Sequence, residues 1–156
     1  MPDVGPASLA VLYLSFALSL IFTPAIRLSI KTQFLIVSAI FPLNYALGLY
    51  ASTCNCHNTI YWLVSFGTSI GGIGNGILWV NQGKYVHLIC EVFDCNEERG
   101  RMFSLFGVFY CASLLASAVV TLIGFGYFSV TVYFTILVIL TLIALLYCFF
   151  FLKDIE

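Results

Sequence analysis

The chain has 156 residues, of which 62% are hydrophobic and only 8% charged, with six Lys+Arg against seven Asp+Glu and a formal net charge of -1. A soluble domain carries about 25% charged residues, and a chain this short has too much surface for its volume to stay in water with so few. An ordinary soluble globular protein is therefore excluded, and the balanced charge leaves no electrostatic footprint for nucleic acid.

Charge-free apolar runs, each close to the roughly 20 residues of one helical crossing, predict an all-α, polytopic membrane protein with a single membrane domain over 1–156. The first span, 7–26, ends where Pro24 precedes Arg27. The second, 32–50, contains Pro42, which removes a backbone hydrogen bond and is expected to kink it. A polar stretch leads to the third span, 60–80. The longest hydrophilic segment, 81–101, follows. Within it Val86, Ile89, Val92 and Phe93 recur at helical spacing, which predicts an amphipathic continuation along the membrane surface. The fourth and fifth spans, 102–123 and 127–152, are separated by a predicted turn at Gly124-Phe125-Gly126. No strands are expected, because open strands leave backbone groups unsatisfied in lipid.

Loops alternate sides across five spans, and Lys and Arg collect on the cytoplasmic side. Placing the amino terminus outside puts Arg27, Lys31, Lys84, Arg99, Arg101 and Lys153 all inside, with a cytoplasmic carboxyl terminus. Tyr50, Tyr61, Trp62 and Tyr127 then fall near the outer ends of spans, and Trp79 and Tyr85 near the inner end of the third, as interfacial aromatics do. An exterior terminus starting Met1-Pro2-Asp3 has neither a basic leader nor a cleavage pattern. A further helix upstream is expected, and it would complete a six-span half of a major-facilitator transporter.

Two stretches carry a specific resemblance. Residues 7–17 with Phe22-Thr23-Pro24-Ala25-Ile26 resemble the second helix of the uncoordinated-ninety-three (Unc) family of major-facilitator-like proteins, including the Pro that ends it. The stretch from Gly72 to Tyr85, in which a Gly-rich helix runs into Leu78-Trp79 and then Gln82-Gly83, resembles that family's distinctive fourth helix. The resemblance extends over nearly the whole chain, with the five spans matching family helices two to six. It implies a regulatory or chaperone-like role toward an ion channel or another membrane partner, exerted by helix contact. It also implies that the third span lines a central cavity. Leu28-Ser29-Ile30-Lys31 does not reproduce the Gly- and Asp-containing loop that transport-competent major facilitators carry.

The third span places Gly67 and Gly71 four apart, then Gly72 and Gly76, with Gly74 between. Such spacing lets helix backbones approach closely in lipid, where packing replaces the hydrophobic drive. It is not G-x-G-x-x-G after a strand, so nucleotide binding is not indicated. Asn44 and Asn75 are the clearest polar side chains inside spans, and amides in lipid need partners. Asn75, Trp79, Gln82, Gly83 and Tyr85 are the candidate cavity or gating residues. An interfacial anchor accounts for Trp79 and Tyr85 together with Lys84, but less readily for Gln82 and Gly83. No Asp, Glu, Lys, Arg or His lies within a predicted span, whereas proton relays and ion pathways usually show one.

Cys54-x-Cys56-His57 and the group His87, Cys90 and Cys95 lack the paired C-x-x-C ligands of a structural zinc site, so no metal or cofactor is expected. One intervening residue would strain a Cys54–Cys56 bridge, and the state of that pair stays open. Cys111 and Cys148 read as small hydrophobes. No Ser or Cys nucleophile sits with a His and an acid, so the chain is not expected to be an enzyme. Its expected partners are lipid and either another membrane protein or a second copy of itself. The alternatives are part of a solute transporter, whose site would lie between two repeats, and an inactive remnant.

Overall fold

In the computed structural model, described over residues 4–54, 57–94 and 96–152, every regular element is helical. The elements are α1 (Val4–Phe22), α2 (Ile30–Thr53), α3 (His57–Val92), α4 (Arg99–Tyr127) and α5 (Val130–Phe151), with 3-10 turns at Thr23–Ala25 and Asn96–Glu98. All five α-helices are long and apolar enough to cross a membrane.

Local chemistry sets most of the ends. Pro24 opens the 3-10 turn after α1, where its missing N–H interrupts nothing. Ser29 caps α2 by accepting the Thr32 N–H at 3.2 Å, and Ser129 caps α5 by accepting the Val132 N–H at 3.3 Å. Pro42 lies buried inside α2, which runs on through it. Asp94, at φ 49°, follows α3 in the left-handed conformation that short polar residues tolerate at helix ends.

The helical continuation expected after Val80 is present and belongs to one long helix, because α3 runs unbroken to Val92. No proline interrupts it. Its sides are occupied as well, since the Tyr85 ring meets Phe34 of α2 and the buried Cys90 thiol lies 3.5 Å from the Met102 sulfur of α4. At 1.5 Å per residue α3 is roughly 54 Å long, well beyond the roughly 30 Å of a bilayer core. One sequence expectation is corrected: Gly124 and Gly126 are helical, and the chain turns at Phe128 and Ser129. Gly124 instead serves packing, because a Cβ there would run into the Tyr133 ring of α5.

α3 is the hub, with α1 against one face and α2 against another, and α5 lies along the far side of α2. Phe134 of α5 seats on Gly48, and Ser52 Oγ lies 3.2 Å from Thr131 Oγ1, so one side of α5 is covered although none of its residues is buried. Among the described residues, α4 meets α3 through its first half, from Met102 to Tyr110, and α5 near its end. The buried apolar core is small, comprising Val37, Ala51 and Cys90, while large apolar side chains such as Phe109 and Leu122 point outward at 72% and 75% exposure. By length and hydropathy this is compatible with a multi-pass membrane protein.

Candidate functional site

The glycines of α3 fall on two contact faces. Gly72 and Gly76 meet α1, where a Cβ on Gly72 would collide with Ser15 Oγ and the Leu12 carbonyl. One on Gly76 would collide with Ser19 Oγ and lie 2.9 Å from the Phe16 carbonyl. The hydroxyls on α1 can face a bare backbone because they are satisfied within their own helix. Ser15 donates to the Val11 carbonyl at 2.8 Å, Ser19 to Phe16 at 2.8 Å and Thr23 to Ser19 at 2.5 Å. Gly67 and Gly71 meet α2, where added Cβ atoms would lie 2.9 Å from Asn44 Oδ1 and 2.8 Å from Asn44 Nδ2. Gly74 meets Ile40 at 3.0 Å by the same measure. The Asn44 amide thus lies against the bare α3 backbone and makes no hydrogen bond among the described residues.

On a third face of α3, Asn75, Trp79 and Gln82 follow one another at i, i+4 and i+7 and open, with Leu78, onto a cavity of about 390 Å³. Tyr110, Ser113 and Ser117 of α4 form the opposite wall. Trp79 anchors the junction, its ring 4.8 Å from Tyr110 in an edge-on arrangement and 5.8 Å from Phe106. The side-chain polar groups of Asn75, Trp79, Gln82 and Tyr110 make no hydrogen bond among the described residues. Ser113 Oγ donates to the Tyr110 carbonyl at 2.7 Å, which leaves its oxygen able to accept. Among the described residues, no charged side chain lines this cavity. Its chemistry is hydrogen bonding by neutral groups beside two aromatic rings.

Gly83 and Tyr85 do not join that site. Gly83 has only the Phe103 ring nearby, and Tyr85 turns to α2, its ring 6.0 Å from Phe34 and nearly perpendicular to it. Sequence reasoning also missed two buried amides. Asn81 is fully buried with neither side-chain polar atom partnered, and Gln33, 2% exposed, donates to the Leu28 carbonyl at 2.8 Å while its Oε1 has no partner. A polar residue at the edge of a hydrophilic segment gives no sign of burial. Gly48 was missed too, although a lone Gly within an apolar span is a packing signal.

Of the cysteine groups, Cys56 and Cys95 lie outside the described residues. Cys90 is buried against α4, whereas His87 is exposed and pairs with Glu91 at 3.2 Å. Comparison with protein-family models, with curated proteins and with solved structures finds no match for this chain.

Proposed function

We propose that the chain is a multi-pass integral membrane protein of the major-facilitator type that acts on a membrane partner, an ion channel or another embedded protein, in a regulatory or chaperone-like manner by helix contact. The observation that carries this reading is the state of α4, a helix of spanning length with no buried residue in its apolar window. Its outward face is apolar and uncovered, with Val108 and Leu122 exposed, and membrane helices associate through surfaces that their own chain leaves open. The one-sided bases support an external amino terminus and a cytoplasmic carboxyl terminus. Because Phe34 meets Tyr85, the α1–α2 connection with Arg27 and Lys31 lies at the same end of the bundle as Lys84 and the start of α4.

The test is site-directed crosslinking in native membranes. Photoreactive residues at Val108 and Leu122, exposed on α4, should capture a second chain more often than one at Ile143, exposed on α5. Preferential capture from Ile143, or no capture from any position together with elution of the chain alone in mild detergent, would contradict the partner reading.

A further inference from the structure

We propose that the cavity between α3 and α4 is a binding site for an uncharged polyhydroxyl compound about the size of a hexose. Four features of the site select this class. First, its volume of about 390 Å³ falls within the range of small-molecule pockets, about 300–1,000 Å³. Second, its polar groups are neutral. The Asn75 and Gln82 amides each offer donors and an acceptor, the Trp79 indole offers a donor, the Tyr110 hydroxyl offers both, and Ser113 Oγ, whose proton goes to the Tyr110 carbonyl, offers an acceptor. With no fixed charge on either wall, an ion entering would lose its water and gain no counter-charge. Third, the Asn75, Gln82, Trp79 and Tyr110 side-chain groups make no hydrogen bond among the described residues, so a ligand that both donates and accepts around its edge can bond to them. Fourth, the polar lining is short.

That last feature separates a compact ligand from a helix. The lining runs from residue 75 to 82 on α3 and from 110 to 117 on α4, seven steps on each, or about 10 Å at 1.5 Å per residue. A transmembrane helix laid in a groove would be met along the depth of the bilayer, whereas a hexose is satisfied within two turns. The Trp79 and Tyr110 side chains add apolar surface beside these polar groups. Both walls of the site come from one chain.

The chain reports on its own site. It has two tryptophans, Trp62 and Trp79, and in a Trp62→Phe background all tryptophan emission comes from the cavity wall. The protein, held in a detergent without a sugar headgroup, is titrated with glucose, with myo-inositol and with gluconate as the charged counterpart of similar size. The expected result is a saturable change in Trp79 emission with at least one of the two neutral compounds. It should weaken about tenfold in Asn75→Leu or in the milder Ser113→Val, and gluconate should give no saturable change. Asn75 and Ser113 are exposed, so neither change disturbs a buried contact. Absence of saturation with both neutral compounds, equal response to gluconate, or affinities unchanged in both variants would overturn the proposal. Crosslinking of a partner helix to Asn75 and Ser113 that excludes the neutral compounds would overturn it as well.

Discussion

Gly76 shows how much one missing methyl group decides. Its α-carbon sits so close to Ser19 and the Phe16 carbonyl of α1 that any side chain would force the helices apart. Overpacking a tight contact costs about 1–3 kcal/mol, and here the obstacle is backbone, which yields less readily than a side-chain end. Gly76→Leu should therefore melt well below the parent in detergent, while Ala116→Leu, on an exposed face of α4, should melt close to it; equal melting of the two variants would count against the α1–α3 seam. Asn81 tests the opposite condition, a buried polar group without a partner. Asn81→Asp keeps the shape and adds a charge that nothing pairs, at a cost of about 3–5 kcal/mol. It should lower the melting temperature far more than Asn58→Asp, at an exposed position, and similar melting of the two would show Asn81 to be accessible to water.

Among the helices, α4 differs from the rest. α1, α2 and α5 each lie along a neighbour, while α4 is held to α3 by the Trp79 cluster and the Cys90–Met102 contact, and to α5 by Tyr133, whose hydroxyl lies 3.0 Å from Thr121 Oγ1. Between Tyr110 and Thr121 its described side chains are exposed. Trp79→Ala removes the main aromatic tie, and spin labels at Ile36 of α2 and Val119 of α4, both exposed, should then show a broader distance distribution. A pair at Leu9 and Ile36 should not change. An unaltered Ile36–Val119 distribution would mean that something other than Trp79 positions α4. Where the sequence was legible and where it was not follows from the same contacts. Charge-free runs mark helices because their signal is local, and Asn75, Trp79 and Gln82 share a face by spacing alone. The turns of α3 past Val80 are legible in the spacing of Val86, Ile89 and Val92, whereas their packing on Phe34 and Met102 is not, because those residues lie elsewhere in the chain. Gly124 reads as a turn until Tyr133 is placed over it. Nothing in α4 distinguishes Ser113 from any other serine in an apolar helix, so the second wall of the cavity could not be read from its sequence.

In the whole molecule, five helices long and apolar enough to cross a membrane come with bases gathered at one end of the bundle. The bundle places the α1–α2 connection and the α3–α4 connection at one end, and the α2–α3 connection at the other. If the chain crosses a bilayer five times, these two ends lie in different compartments, and the end with Arg27, Lys31, Lys84, Arg99 and Arg101 is the cytoplasmic one. The most direct measurement is cysteine labelling with a membrane-impermeant maleimide in a cysteine-free background, at Asn58 before the main body of α3 and at Glu97 before α4, on sealed membranes and again after permeabilisation. The account predicts opposite accessibility, with Glu97→Cys reacting from the cytoplasmic side and Asn58→Cys only from the other. Labelling of both positions from the same side would contradict it.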